Sequence, residues 1–229
     1  RIDLPSTRKI INAIIDGTDG LMLSEETADP YSKFPIDAIA MMAQIAVTTE
    51  EDVERRNQLE YKYKIGKQHD RNLENLRDKR KELDRERRGG RINSSTYANR
   101  KLSLERLGIT EHMCYDACES ATELGGRAIV ILTETGESAR LVSRFRPDIP
   151  ILAGVYSECI ARNVRLSYGV EAFTIDRKRQ RVGHPFEQYE QIIEQAKSKG
   201  FLARGDLVML VGGYPHPASG VINFLHAYE

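Results

Sequence analysis

At 229 residues, 40% of them hydrophobic, the chain can bury one substantial core or two smaller ones. Its 34 Lys and Arg balance 34 Asp and Glu, so no global field draws it to nucleic acid or to an anionic membrane. Its longest apolar runs fall well short of the roughly 18 residues that span a bilayer. These features predict a soluble protein with neither nucleic acid nor membrane among its partners. The chain begins with Arg1 rather than Met, and no signal core or presequence follows, so it reads as a fragment.

Three segments follow one another. In the first, residues 1–51, a helix over 7–16 carries Ile10, Ile11, Ile14 and Ile15, and Gly17 stands where a helix C-cap is wanted. Residues 20–24 form a short apolar run suited to a strand buried on both faces. Pro35 then opens a helix with Ile36, Ile39, Ala43 and Ala46 on one side. This αβα unit is a piece of a larger parallel sheet, because a lone buried strand needs neighbours on both edges.

The second segment, residues 52–108, is densely charged, with Lys79, Arg80, Lys81, Arg85, Arg87 and Arg88 interleaved with Asp78, Glu82, Asp84 and Glu86. Leu73, Leu76 and Leu83 make a narrow stripe. Gly89 and Gly90 break it before Tyr97, Leu102, Leu104 and Leu107 begin a second short helix. The segment is expected to be a charged helical hairpin. Its local basic excess admits docking of nucleic acid or an acidic partner, but mixed signs and a single aromatic favour a solvated arm.

The third segment, residues 109–229, alternates apolar strands at 128–132, 149–155, 171–175 and 206–211 with helices at 138–145, 157–166 and 185–199. Gly200 closes the last helix, and 221–227 reads as an added edge strand. The expected fold class is α/β, an open and mostly parallel sheet with helices on both faces.

The three cysteines, Cys114, Cys118 and Cys159, are an odd number in a chain without a secretory signal, which predicts reduced thiols and a cytoplasmic setting. Cys114 and Cys118 share a helical face at a spacing that offers half a metal site with His112. Met113, Ala117 and Ala121 flank them, so they read as core thiols, and no metal is assigned. The loop 133–138 follows a strand and opens a helix, so its N–H groups and hydroxyls converge where the helix dipole favours an anion.

The run Asp16-Gly17-Thr18-Asp19-Gly20-Leu21-Met22-Leu23-Ser24-Glu25-Glu26-Thr27-Ala28 resembles the signature around the eighth barrel strand of pyruvate kinases, with Glu25 where the family has a small residue. A second match lies in Leu132-Thr133-Glu134-Thr135-Gly136-Glu137-Ser138-Ala139, Arg144-Phe145-Arg146-Pro147 and Pro150-Ile151, which is similar to that family's C-terminal domain. Gly200, Gly205-Asp206, Val208, Gly212 and Ser219-Gly220 continue it. The resemblance covers all but residues 66–108, which look like an insertion.

The resemblance implies that residues 1–51 are the last units of a TIM-type (β/α)8 barrel, 52–108 a helix extension with a charged insertion, and 109–229 the C-terminal α/β domain. It implies a homotetrameric glycolytic enzyme that transfers a phosphoryl group from phosphoenolpyruvate to ADP, with magnesium and potassium as cofactors. In that family the catalytic and metal-binding groups come from earlier barrel strands, whose motifs do not occur here. This chain alone is therefore expected to bind no cofactor and to be inactive. Ser24, Glu26 and Thr27 would lie at the barrel mouth, with capping and a local ion pair as their alternative role. Thr133, Thr135, Gly136, Ser138, Ser219 and Gly220 would hold a phosphorylated effector. Glu134 and Glu137 would repel it unless Arg140, Arg204 or His216 offsets them, which disfavours a sugar bisphosphate and leaves a monophosphate. The alternative function is a standalone phosphometabolite-binding or assembly module without catalysis.

Overall fold

The structure, a computed structural model, describes residues 4–23, 34–177, 186–213 and 221–229, and the side chains of 4, 5 and 53–65 lie outside that description. Two compact units are present, Arg1–Ile65 and Gly66–Glu229. The elements in chain order are α1 (Leu4–Ile15), α2 (Pro35–Arg88), α3 (Ser94–Glu123), β1 (Ala128–Leu132), α4 (Glu137–Ser143), β2 (Ile151–Val155), α5 (Glu158–Val164), β3 (Val170–Thr174), α6 (Glu187–Ser198), β4 (Val208–Gly212) and β5 (Phe224–Tyr228).

In the first unit, α1 ends as the sequence predicts. Gly17 takes a φ of 86°. That left-handed turn lets the Thr18 N–H reach the Ala13 carbonyl at 3.0 Å and the Gly17 N–H reach that of Ile14 at 3.0 Å, the paired bonds of a Schellman cap. The strand expected from residue 20 does not form over 20–23, and Met22 is 90% exposed. An apolar strand forms only when neighbours pair both its edges, and among the described residues of this unit no strand is present to do so. Pro35 opens α2 as expected, but Ile36 and Ile39 on its apolar side are exposed.

The second unit is an α/β sandwich. Its sheet has the order β3-β2-β1-β4-β5, with β1 parallel to β2 and β4, β2 parallel to β3, and β5 an antiparallel edge. Side chains alternate across it. Ala128, Val130 and Leu132 of β1 join Leu152, Phe173, Leu210 and α6's Ile192 in one core layer. Ile129 and Ile131 point to the opposite face, which α3 and α4 cover. Two features fix the α6 layer. Gly154 admits Ile192, and Tyr189 donates from its hydroxyl to the Val211 carbonyl at 3.1 Å.

The charged segment folds as a helical hairpin, but its second helix is not short. α3 runs unbroken through residue 108 into the α/β unit, and its inner face buries Cys114, Ala117, Cys118 and Ala121. Residues 94–123 contain no proline, and Gly108 keeps a helical backbone within α3; Gly125, whose φ of 67° supplies the left-handed turn, follows its end. The hairpin turn is set by Gly90, with a φ of 68°, and by Asn93, which caps α3 by accepting from the Thr96 N–H at 2.8 Å.

A Cβ on Gly154 would stand 2.4 Å from Cδ1 and 2.7 Å from Cγ1 of the fully buried Ile192. Gly154→Ala should therefore destabilise the unit by about 1–3 kcal/mol. Adding Ile192→Val should recover part of that loss, read as coupled shifts of the urea midpoint. Burial pushes the Cys114 thiol up to about 12 and raises Cys118 as well, so neither is thiolate near neutrality. At about pH 8 a thiol reagent should modify only the exposed Cys159 quickly, and all three cysteines once the chain is unfolded. Rapid native labelling of Cys114 or Cys118 would contradict this packing.

Candidate effector-binding site

β1, β2, β3 and β4 are parallel, so their carboxyl ends lie along one edge of the sheet. The chain leaves β1 towards β2 on one side and returns on the other at β4, which makes the carboxyl end of β1 a topological switch point. Residues 133–136 form the loop at this point. Thr133 is buried, donates its N–H to the Gly154 carbonyl at 3.0 Å and accepts the Gly136 N–H on its Oγ1 at 3.1 Å. The exposed Thr135 accepts the Glu137 N–H on its Oγ1 at 3.4 Å.

Gly136 has a φ of 83°, and a Cβ there would come within 2.1 Å of Val164 Cγ1, so α5 closes over the loop and only glycine fits. The N–H groups of Gly136 and of Glu137, the first residue of α4, are thus already bonded to loop hydroxyls. The hydroxyl of the half-buried Ser138 has no partner among the described residues. Ser219 and Gly220, with His216, lie outside the described residues, as do Ser24, Glu26 and Thr27. The structure therefore brings together Thr133, Thr135, Gly136 and Ser138.

The charge of the expected Glu134 is met by Arg177, Tyr156 and Gln188, which sequence reasoning missed. Glu134 forms an ion pair with Arg177, which follows β3 at the same edge of the sheet. The Arg177 guanidinium lies over the Tyr156 ring, 4.4 Å from its centroid. Tyr156 donates to Gln188 Oε1 at 3.1 Å, and Gln188 Nε2 donates to the Arg177 carbonyl at 3.4 Å. Burial raises the Tyr156 phenol above its ordinary range, with Arg177 opposing that rise. The only available signal was position: Glu134, Tyr156 and Arg177 each follow the end of a predicted parallel strand.

Of the cations expected to offset the acidic loop, Arg140 is in place, donating to the Thr135 carbonyl at 3.4 Å. Arg204 is not. It precedes β4, and its neighbour Leu207 accepts from Arg127 at the amino end of β1. The full length of a five-residue strand, about 16 Å, separates that end from the loop.

A buried carboxylate ties α4 to the hairpin helices. Glu111 on α3 is 5% exposed. Its Oε1 lies 3.3 Å from His69 Nδ1 and accepts from Asn72 Nδ2 at 3.0 Å, both on α2, while its Oε2 pairs with Arg144 at the end of α4. His69 stacks on Tyr115 with centroids 4.4 Å apart. Removing the carboxylate strands the buried His69 imidazole, takes the acceptor from the half-buried Asn72 amide and unpairs the exposed Arg144 guanidinium. Glu111→Ala should cost about 1–3 kcal/mol, chiefly through the stranded His69 and Asn72, and Glu111→Gln, which keeps an acceptor for Asn72, clearly less. Equal urea midpoints for the two variants would count against a charge-centred network.

Comparison with known proteins bears on the whole chain. Residues 111–227 match the family described as "Pyruvate kinase, alpha/beta domain". The chain is 30% identical over 216 residues to the pyruvate kinase of Clostridium acetobutylicum, covering 94% of this chain and 36% of that protein. It is 32% identical to that of Thermococcus litoralis, covering 90% and 34%. It is 33% identical to pyruvate kinase PKLR of Rattus norvegicus, covering 96% and 32%. The chain thus spans about a third of the length of the relatives it matches. With the α/β sandwich and its switch-point loop spanning the matched residues, the chain belongs to the pyruvate kinase family.

Proposed function

We propose that this chain is the C-terminal part of a pyruvate kinase, contributing assembly and regulation to an enzyme that transfers the phosphoryl group of phosphoenolpyruvate to ADP. The observation that carries this reading is the length relation: the three pyruvate kinases compared above cover 90–96% of this chain, while the chain covers 32–36% of them. In this reading residues 1–51 close a (β/α)8 barrel, 52–108 extend its last helix as a charged insertion, and 109–229 form the regulatory domain. The exposed Phe34, Ile36, Ile39 and Val47 support it, because an apolar face of that kind calls for a covering neighbour. Ser24, Glu26 and Thr27 would then sit at the barrel mouth, where such folds place their chemistry.

Magnesium, potassium, ADP and phosphoenolpyruvate would belong to the barrel, and the assembled enzyme would be a cytoplasmic homotetramer. The switch-point loop would take a phosphorylated effector on the Ser138 hydroxyl and the α4 N-terminus, joined by Ser219 and Gly220. A monophosphate suits it better than a bisphosphate, since Glu134 and Glu137 are acidic and Arg177 is already engaged by Glu134.

The test is the native polypeptide, captured from its source with an antibody against residues 109–229. A mass well above 26.0 kDa, with conversion of phosphoenolpyruvate and ADP to pyruvate in a coupled assay, is the expected outcome. The isolated 229-residue chain should show no such turnover. A native species of 26.0 kDa without activity would replace the enzyme reading with a standalone binding or assembly module.

A further inference from the structure

We propose that the solvent face of the hairpin is a docking surface for the sugar–phosphate backbone of double-stranded nucleic acid. Residues 66–108 carry 13 Lys and Arg against 7 Asp and Glu, an excess that the balance of the whole chain conceals. The fold then sorts these charges. Three of the seven acids are spent inside the hairpin: Glu105 pairs with Arg80 at 2.9 Å, Glu86 with Arg100 at 3.2 Å, and Asp84 accepts the Tyr97 hydroxyl at 2.7 Å. Leu83 is 5% exposed, so the apolar stripe is also turned inward.

The other four acids, Asp70, Glu74, Asp78 and Glu82, are exposed on α2, and a row of cations stands beside them there. Arg77, Lys81, Arg85 and Arg88 recur at helical spacings of four, four and three residues, and all four are exposed. The row runs for about 16 Å along one face. Arg77 and Arg88 form no ion pair with a carboxylate among the described residues, and Arg85 acts on Asp78 only through its field. Lys81 meets Asp78 at 2.8 Å, but both side chains are largely exposed, at 67% and 71%, so the pair is weak and readily exchanged.

The chemistry of this face selects its partner. A protein interface needs buried apolar or aromatic anchors, and a membrane-surface helix needs an apolar face; the row offers neither. Neutralising a polyphosphate needs only cations at regular intervals on a stiff element, and guanidinium groups suit phosphate geometry. Tyr97, the one Phe, Tyr or Trp of residues 66–108, is held by Asp84, and the His69 ring is buried against Tyr115, so no base is stacked or read. Binding is therefore sequence-independent and backbone-directed. It also rests on no reading of the enzyme.

The test is fluorescence anisotropy of a labelled duplex of about 20 base pairs, as DNA and as RNA, titrated with the full 229-residue chain. With about four phosphates neutralised, log affinity should fall with log salt at a slope of about −3 to −4, or roughly a hundredfold between about 50 and 200 mM. The quadruple variant Arg77→Gln, Lys81→Gln, Arg85→Gln, Arg88→Gln should keep its helical circular dichroism, because none of these side chains is buried. It should bind at least tenfold more weakly, with a flattened slope. The proposal is overturned if no saturable binding occurs at about 50 mM salt, if the quadruple variant binds as tightly as the parent, or if poly-glutamate competes as well as unlabelled duplex.

Discussion

Strand β1 is hydrogen bonded on both edges and buried on both faces, with none of its five residues more than 7% exposed. A strand in that position cannot satisfy itself. Its edges require β2 and β4, and its two apolar faces require helices above and below, so one five-residue segment fixes the layer architecture of the α/β unit. The same constraint places the chain's exit from β1 at the edge of the sheet, where its neighbours diverge. The loop at residues 133–136 lies at that edge, with Thr133 and Gly136 buried and Thr135 exposed.

Charge is handled differently in three places, and burial decides how. Glu111 is enclosed, so its carboxylate is matched on both oxygens by groups from α2 and α4. Glu134 sits at the sheet edge, where a partly exposed Arg177 braced on Tyr156 neutralises it without sealing it from water. On the hairpin, acids and bases meet mainly across the interface between α2 and α3, and the outward face keeps a cationic row in which Lys81 is ion-paired to Asp78. A formal charge of zero over the chain thus coexists with strong local fields.

The glycines mark where backbones or side chains approach most closely. Gly154 admits Ile192, and Gly212 admits the Tyr189 ring, whose hydroxyl oxygen would stand 2.1 Å from an added Cβ. Both contacts press α6 onto the sheet, and Gly136 lets α5 close over the loop. These positions carry no chemistry of their own, yet they set the distance between layers and hence the shape of the switch point.

By itself the sequence determined the alternation of strands and helices in residues 109–229, because period-two and helical apolar patterns are local and glycine caps are chemically explicit. Gly17, Gly90, Gly125 and Gly200 all adopt the positive φ that a helix end needs. The candidate loop was legible for the same reason, since Thr133, Thr135, Gly136 and Ser138 follow a strand and precede a helix. Three things only the tertiary structure decided. No strand forms over residues 20–23, because pairing is supplied by neighbours and not by composition. The second hairpin helix continues to Glu123, because the residues beyond 108 gain a core face to bury. Arg177, rather than Arg204, meets the acidic loop, because the direction of parallel strands, invisible in a linear list of charges, puts one at the carboxyl edge and the other at the opposite end.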